Sequence, residues 1–221
     1  MSISDILGIK PGLTAVIGGG GKTALISALA EELKSSGTVI ICTSVKISRP
    51  VTIPVFSGQD AVLAKKELQR SSVVCIGTDN EGGKLTAPSC SYEELTKLAQ
   101  YVLVEADGAK GLPMKAHAPN EPVIPDIASA VILVMGAGGF GREILRVAHR
   151  PELFAKLANA GVNDILKPEH AARVAQAENL HDCVFINQVE SEETLRAAQT
   201  VKTLLDCPVI AGSLFMSKMY F

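Results

Sequence analysis

The fold of this chain is decided by the stretch Thr14-Ala-Val-Ile-Gly-Gly-Gly-Gly-Lys-Thr23, in which an apolar strand runs into four glycines, a lysine and a threonine. Glycine has no Cβ, so the backbone here can turn its N–H groups inward. A helix that opens at Lys22 adds unpaired N–H groups and the positive end of its dipole. The stretch therefore predicts a cradle for an anion, and a phosphate chain is the anion that this pattern favours.

Each residue of the cradle has a predicted role. Lys22 would reach the terminal phosphates, and the hydroxyl of Thr23 would bind Mg²⁺. Val16 stands where the usual pattern has its first glycine, so the motif is a shorter variant. The alternative is a glycine-rich turn with an incidental lysine. The residues predicted to hold the phosphates are Gly18, Gly19, Gly20, Gly21, Lys22 and Thr23.

Composition limits the class of protein and its partners. A chain of 221 residues, 47% of them hydrophobic, is long enough for one domain with a substantial core. The net charge of −2 and the 4% aromatic content disfavour a nucleic-acid partner. No apolar run approaches the roughly 18 residues of a membrane-spanning helix. We expect neither a nucleic-acid partner nor a membrane partner.

The N-terminus and the cysteines indicate the compartment. Residues 1–5 show no basic region followed by an apolar one, so we expect no signal peptide. The five cysteines are scattered and form no CxxC pair, which is typical of free thiols in a reducing compartment. These features predict a cytoplasmic protein.

The apolar runs predict the fold class. Continuous apolar segments such as 13–18, 38–43 and 130–136 alternate with amphipathic helical patterns, as in a parallel sheet that helices cover on both faces. We predict a single three-layer α/β domain of the P-loop NTPase type over residues 1–221. The helical patterns at 142–160 and 167–178 predict a small lid or subdomain around 142–180.

A pair of acids follows another predicted strand, within Tyr101-Val-Leu-Val-Glu-Ala-Asp-Gly108. Residues two apart in an extended segment point the same way, so Glu105 and Asp107 would meet at one strand end. Two such carboxylates are costly without a cation or solvent between them. We predict that one of the two acids binds Mg²⁺ with Thr23. The sequence leaves open which acid does so, and a solvated strand end is the alternative.

Charged residues crowd a proline-rich segment at 108–126. Long ordered loops tend to be functional, and this one would grip a second, anionic substrate beside the terminal phosphate. A connecting loop with ordinary surface charges is the alternative. The residues assigned to a second substrate or to the trigger of hydrolysis are Lys110, Lys115, His117 and Glu121.

Two further motifs lie beyond that loop. Gly136-x-Gly138-x-x-Gly141 spells a dinucleotide fingerprint, but no convincing strand ending in an acid follows about 20 residues on. We expect a flexible loop there, with an NAD(P)-binding oxidoreductase as an alternative. The strand at 183–190 ends in Asn187-Gln-Val-Glu190, which is similar to the Asn-Lys-x-Asp motif of guanine-nucleotide proteins. Asn187 and Glu190 would then contact the base.

Four stretches together resemble one family. They are GGGGKT (18–23), VEADGAKGLPMKAHAPNEPVIP (104–125), HRPELFAKL (149–157) and FINQVE (185–190). The chain resembles the selenium-dependent hydroxylase accessory proteins, also called YqeC-type selenium cofactor biosynthesis proteins. Residues 136–141 depart from the family pattern, and a further C-terminal element is expected. The resemblance implies a nucleotide-dependent step in maturing a molybdenum hydroxylase with a labile selenium ligand.

The combined expectation is a GTP- or ATP-dependent accessory protein with Mg²⁺ as cofactor. Its reaction would be NTP hydrolysis or phosphoryl transfer, with Lys22, Asp107, Glu105 and Lys110 as the catalytic residues. A selenium-containing or other small-molecule substrate and a molybdenum hydroxylase are the implied partners. The alternative from a different class is a non-catalytic, nucleotide-gated chaperone.

Overall fold

The computed structural model describes residues 2–221. Within them the strands are two to seven residues long. The strands are Gly12–Gly18 (β1), Val39–Thr43 (β2), Ile47–Ser48 (β3), Val55–Phe56 (β4), Val73–Ile76 (β5), Thr78–Asn80 (β6), Lys84–Thr86 (β7), Tyr101–Glu105 (β8), Met114–Lys115 (β9), Ala130–Gly136 (β10), Ala148–His149 (β11), Cys183–Asn187 (β12), Val209–Ser213 (β13) and Lys218–Met219 (β14).

Helices follow most of the strands. A 3₁₀ turn, Ala137–Gly139, continues directly from β10. The α-helices are Ile3–Ile6 (α1), Lys22–Leu33 (α2), Ala61–Ser71 (α3), Tyr92–Leu98 (α4), Ile144–Val147 (α5), Pro151–Ala158 (α6), Pro168–Glu178 (α7) and Glu192–Leu204 (α8).

The chain divides into two compact units, and the first holds residues up to 16, 23–108 and 123–130. Its main strands lie in the order β4-β5-β2-β8-β1, and each neighbouring pair is parallel. The register places Glu105 opposite Val16 on one side and opposite Thr43 on the other. Three carboxyl strand ends therefore meet at Glu105, which is where open α/β sheets place their ligands.

The second unit holds residues 17–22, 109–122 and 131–221. Its strands β10, β12 and β13 are parallel, and β14 pairs with β13 in the antiparallel direction. The register pairs Gly136 with Asn187, again at carboxyl ends. Helices α5, α6, α7 and α8 pack one against the next in this unit.

The predicted α/β class with a mostly parallel sheet is confirmed. Within the helical pattern at 142–160, Pro151 begins a new helix, α6, as its place in the sequence predicts. The short strand β11, which the sequence did not predict, separates α5 from α6. β11 forms a parallel pair with β9, so a contact distant in sequence overrides the local helical pattern. The lid at 142–180, and a single domain over the whole chain, stay predictions.

The length and apolar character of a helix decide whether it can cross a bilayer. A membrane-spanning helix needs about 20 mostly apolar residues. None of the described helices combines that length with that apolar character.

Candidate functional site

The glycine loop, Gly18–Gly21, adopts a backbone that only glycine accommodates well. Gly18 has φ of 96° and Gly20 has φ of 72°, both in the left-handed region. A Cβ on Gly18 would lie 2.7 Å from Leu133 Cδ1, and one on Gly20 would overlap the backbone of Gly136. The glycines are thus required both by the turn and by the close approach of the end of β10.

Two N–H groups of the loop are already used inside the second unit. Gly19 N donates to Val134 O at 2.9 Å, and Gly20 N donates to Leu112 O at 3.0 Å. These bonds fix the loop, and they occupy two of the N–H groups that were predicted to contact phosphate. The phosphate contacts of residues 18–23 stay predictions.

Lys22 folds back over the loop that precedes it. Its side chain is buried, and Nζ donates a 2.6 Å hydrogen bond to Gly18 O. An ammonium held against the carbonyl of Gly18 supplies a fixed positive charge at the glycine loop. The position agrees with the predicted role of Lys22, which stays a prediction.

Asn187 binds the glycine loop directly. Its Nδ2 donates to Gly20 O at 2.8 Å, and its Oδ1 accepts from Leu214 N at 3.1 Å. The amide group has a second N–H and a second lone pair on its oxygen with which it could also contact a base. The structure thus gives Asn187 a role that the sequence did not predict, which is to join the end of β12 to the glycine loop.

Glu190 is held by the residue that ends β13. Ser213 Oγ donates to Glu190 Oε1 at 3.0 Å, and Met216 N donates to Ser213 Oγ at 3.1 Å. Glu190 itself is exposed. Ser213 orients the carboxylate of Glu190, and because Glu190 is exposed its carboxylate can accept a pair of hydrogen bonds from a ligand.

The glycines at 136–141 support the glycine loop. Gly136 N donates to Pro113 O at 2.8 Å. A Cβ at Gly136 would meet Gly20 and the side chain of Gln188. A dinucleotide fingerprint needs a helix that opens at the glycines, whereas β10 is followed by a 3₁₀ turn and then by α5, which has only four residues. This geometry does not favour the NAD(P) alternative.

In the first unit the structure brings Thr23 and Glu105 together. Thr23 Oγ1 donates to Glu105 Oε2 at 2.8 Å. The backbone of Glu105 is fixed as well, since Thr43 Oγ1 donates to its carbonyl at 2.9 Å. Hydroxyl and carboxylate oxygens are the ligands that Mg²⁺ prefers. Glu105, one of the two predicted acids, therefore contacts Thr23.

Asp107 lies two residues further, just past the end of β8. Its side chain is fully buried, whereas Gly108 is exposed. In the part of the chain that the structure describes, no group of three or more His, Cys, Asp or Glu side chains is arranged to hold a metal. Mg²⁺ commonly uses one or two carboxylates and completes its shell with water and phosphate oxygens.

A cavity of about 260 Å³ borders the Thr23–Glu105 pair within the first unit. Its walls are mostly apolar, and Thr23 and Glu105 supply polar groups at one side. A mostly apolar cavity with a few polar groups is the usual form of a small-molecule site. The lining residues are Thr23, Ile26, Ser27, Ile41, Cys42, residues 47–53 and Glu105.

The residues predicted to bind a second substrate lie in the second unit and form ion pairs there. Lys115, whose side chain is fully buried, lies 3.0 Å from Glu121 Oε2. His117 Nδ1 lies 2.7 Å from Glu178 Oε2, and its backbone N donates to Glu178 Oε1 at 2.6 Å. Lys110 is exposed with φ of 51°. Lys115 and His117 are thus held in ion pairs, whereas Lys110 is exposed.

Sequence reasoning missed Glu178 and Arg150. Glu178 ends α7, 61 residues after His117, and nothing in the local pattern marks it. Arg150 contacts both carboxylate oxygens of Glu121, with Nη2–Oε1 at 2.8 Å and Nε–Oε2 at 3.3 Å. The only available signal was Arg150's place in the HRPELFAKL motif.

Two pKa shifts accompany these ion pairs. Burial raises the pKa of Glu121, but hydrogen bonds and charges from Arg150 and Lys115 outweigh that effect and leave the pKa below its ordinary value. The pKa of His149 is also lowered, first by burial and then by Lys115, Arg150 and Lys110. At neutral pH Glu121 is therefore ionised and His149 is neutral.

The cysteines of the structure are free thiols, as the sequence predicted. Burial raises the pKa of Cys75 to about 12 and that of Cys183 to about 12. Burial and the neighbouring Cys75 and Cys90 raise the pKa of Cys42 as well. Because the thiolate is the reactive form, these three residues are poor nucleophiles at neutral pH.

Comparisons with known proteins agree with the resemblance seen in the motifs. Residues 14–152 match the family described as YqeC protein. The Escherichia coli protein described as "Uncharacterized protein YqeC" is 33% identical over 159 residues, which cover 67% of this chain and 61% of that protein. The chain therefore belongs to the YqeC protein family.

A comparison with solved structures gives a partial similarity. The 54 kDa protein of the signal recognition particle from Aeropyrum pernix, in complex with GDP, is 13% identical with a TM-score of 0.46. The match covers 96% of this chain and 44% of that protein. This chain thus spans less than half of that protein and 61% of the curated E. coli relative.

Proposed function

We propose that this protein is a nucleotide-dependent accessory protein that binds GTP or ATP, with GTP preferred. One observation carries the proposal: Asn187 Nδ2 donates a 2.8 Å hydrogen bond to Gly20 O. This bond ties the segment predicted to read a base to the loop predicted to hold phosphates. The glycine loop and the segment 187–190 were predicted from separate sequence motifs. A bound nucleotide would need both close together, because its phosphates and its base belong to one molecule.

Phosphate recognition would fall to Gly21, Lys22 and the start of α2. The N–H groups of that first helical turn have no acceptor within the helix, and they attract anions. Lys22, which contacts Gly18 O, supplies a positive charge at the same loop. Positive charge fixed near the terminal phosphates offsets the charge that develops during phosphoryl transfer.

Base recognition would fall to Glu190, with Ser213 holding it. A carboxylate can accept from both N1–H and N2–H₂ of guanine, and adenine cannot make that pair of contacts. The hydrogen bond from Ser213 Oγ to Glu190 Oε1 fixes one oxygen of the carboxylate. The preference for GTP over ATP rests on this arrangement.

Mg²⁺ would be held by Thr23 and Glu105, whose oxygens lie 2.8 Å apart. Bound there, Mg²⁺ would supply charge neutralisation and orientation of phosphate oxygens. Thr23 follows Lys22 directly in the chain, so the predicted phosphate-binding and metal-binding residues are neighbours in sequence. The carbonyl contact from Thr43 keeps Glu105 in place.

The reaction would be NTP hydrolysis or phosphoryl transfer, with Asp107 and Lys110 kept as candidate catalytic residues. The cavity beside Thr23 and Glu105 supports an acceptor molecule. A nucleotide-gated binding protein without turnover is the second candidate. It is favoured by the buried pairs Lys115–Glu121 and His117–Glu178, since ion-paired side chains of this kind also hold a loop in one conformation.

The biological role would be the maturation of a selenium-containing molybdenum hydroxylase. Membership of the YqeC family, together with the motifs at 104–125 and 149–157, supports this role. A molybdenum hydroxylase produced together with the wild-type protein should carry its labile selenium, and with Lys22→Ala it should not. Equal selenium content in both preparations would contradict the role.

Turnover distinguishes the two candidates. Phosphate release from Mg-GTP should be measured for the wild type alone and with the hydroxylase added. Multiple turnovers that Glu105→Gln abolishes would support an NTPase. Tight binding without release of phosphate, alone or with the hydroxylase, would favour the nucleotide-gated binding protein.

A further inference from the structure

Two cationic side chains of the second unit meet at Glu121. Arg150 contacts Oε1 through Nη2 at 2.8 Å and Oε2 through Nε at 3.3 Å. Lys115 contacts Oε2 through Nζ at 3.0 Å. Both carboxylate oxygens of Glu121 are thus in ion pairs, and Oε2 contacts both Arg150 and Lys115.

The positions of the cations are fixed by the backbone. β9 and β11 run parallel, with His149 opposite Lys115, and Ala116 N donates to His149 O at 3.1 Å. Arg150 follows His149 with φ of 64° and precedes the first turn of α6. Lys115 lies in β9 and Arg150 directly follows β11, so the pairing of these strands fixes the backbone positions of both cations.

The cluster carries more positive than negative charge among the groups around His149. Lys115, Arg150 and Lys110 act on this imidazole as cations, and Glu121 acts on it as an acid. Two of these cations, Lys115 and Arg150, also contact the carboxylate of Glu121. Arg150 and His149 are also partly exposed, so a ligand can reach them.

We propose that Lys115, Arg150 and His149 form a binding site for a small oxyanion, and that Glu121 occupies this site as an internal substitute when no ligand is bound. The inference rests on the proposed function, in which Lys115 and Glu121 bind a second substrate. It assigns that substrate to the class of oxyanions and adds Arg150 and His149 to the residues that bind it.

The geometry favours an oxyanion over other ligands. The guanidinium fork matches two oxygens of a carboxylate or of a tetrahedral anion, as its contacts with Glu121 show. The cationic side chains of Lys115 and Arg150 favour an anion over a cation as the ligand. Neutral His149 can donate one hydrogen bond to the ligand, and its pKa should rise when an anion binds beside it, because a negative charge stabilises imidazolium.

The test is an NMR titration of the histidines with sulfate, and with acetate in a second arm, at constant ionic strength. The chain has four histidines, so their signals are separable. The Lys22→Ala background removes binding of sulfate at the glycine loop. In that background sulfate should raise the pKa of His149 in a saturable manner, and the pKa of His170 should not change. Comparing sulfate with acetate separates a tetrahedral from a planar ligand.

Variants of the cluster make the test specific. Arg150→Gln should weaken sulfate binding at least about tenfold, because it removes one positive charge and the paired N–H donors of the guanidinium group. Arg150→Lys keeps the charge and should give an intermediate affinity. Glu121→Gln should bind sulfate more tightly than the parent, since the internal anion is gone. Amide spectra confirm that each variant is folded.

The inference is overturned if sulfate and acetate leave the His149 pKa unchanged, or if Arg150→Gln binds as well as its parent. Weaker binding by folded Glu121→Gln would also overturn the role of Glu121 as a substitute anion. These results are independent of nucleotide. A wild-type protein that binds sulfate at His149 but no GTP would remove the proposed function and leave the anion site.

Discussion

Asn187 Nδ2 lies 2.8 Å from the carbonyl oxygen of Gly20, across 167 residues of sequence. Both residues are buried in the second unit. The same amide accepts a hydrogen bond from Leu214 N, so it joins the glycine loop, the end of β12 and the segment after β13. One side chain therefore couples the three elements that the proposed nucleotide site requires.

Replacing Asn187 by alanine should damage both folding and binding. The Gly20 carbonyl and the Leu214 N–H would lose their partner, and an unsatisfied buried polar group costs about 1–3 kcal/mol. We expect a free energy of unfolding lower by about 2 kcal/mol, measured by urea denaturation. Affinity for GTP should fall at least about tenfold, since the loop is no longer held.

Asn163→Ala is the matched control, because Asn163 is exposed in the same unit. It should change stability by less than about 0.5 kcal/mol and leave nucleotide affinity unchanged. If Asn187→Ala behaved like Asn163→Ala, the coupling role of this amide would be contradicted.

Glu190→Gln should relax the choice of base. The amide would present a donor where guanine also presents donors, so GTP binding should weaken about 10- to 100-fold. ATP binding should change little, because adenine makes no paired contact with this group. Competition of GTP and ATP against a fluorescent nucleotide gives the ratio directly.

Ser213→Ala should have a smaller effect in the same direction, because it removes only the hydrogen bond that orients Glu190. Glu193→Gln, an exposed substitution at the start of α8, serves as the control for charge alone. A GTP to ATP ratio that stays constant across these variants would mean that Glu190 does not read the base.

Gly20→Ala should be more harmful than an alanine at an equally strained but open glycine. Gly20 has φ of 72°, and its added methyl would overlap the backbone of Gly136. Gly83 has φ of 69°, with nothing within 4 Å of the added methyl. Gly83→Ala should cost about 1–2 kcal/mol from strain alone. Gly20→Ala should cost a further 1–3 kcal/mol or so.

The measurement is the free energy of unfolding of both variants by urea denaturation. Nucleotide affinity should fall only for Gly20→Ala, since Gly83 lies in the β6–β7 hairpin. Equal stabilities of the two variants would show that the contact between the loop and Gly136 is loose.

Local chemistry explains what the sequence predicted well. Strand β1, the glycine loop and α2 follow from an apolar run, glycines and a helical pattern that are adjacent in the chain. The start of α6 at Pro151 follows in the same way from a first-turn proline.

Long-range contacts explain what the sequence did not predict. The Asn187–Gly20 bond and the His117–Glu178 pair join residues 167 and 61 positions apart. Strand β11 exists because β9 pairs with it, against a local helical pattern. The glycines at 136–141 had a fingerprint spacing, but their role depends on Gly20 and Pro113, which local spacing does not encode.

Stability should fall when the pH drops from about 7.5 to about 5.5. The pKa of His181 is lowered, first by burial, and that of His170 by burial and then by Lys167. His149 is shifted in the same direction. Over this pH range the unfolded chain, with histidine pKa values of about 6.5, binds more protons than the folded chain, so acid favours unfolding.

Urea midpoints at the two pH values give this dependence. His181→Gln should reduce it, because the variant has one lowered pKa fewer. The loss of stability should end below the folded-state pKa values, where both states are protonated. A midpoint that rises on acidification would contradict these shifts.

The most direct test of the nucleotide site is calorimetric titration of the purified protein with Mg-GTP and Mg-ATP. The variant is Lys22→Ala, and the control is Lys65→Ala, an exposed lysine on α3. We expect the wild type and the control to bind Mg-GTP more tightly than Mg-ATP. Lys22→Ala, with unchanged circular dichroism, should bind at least about 100-fold more weakly. A wild type that binds neither nucleotide, or a Lys22→Ala variant that binds as tightly as the control, would contradict the nucleotide site.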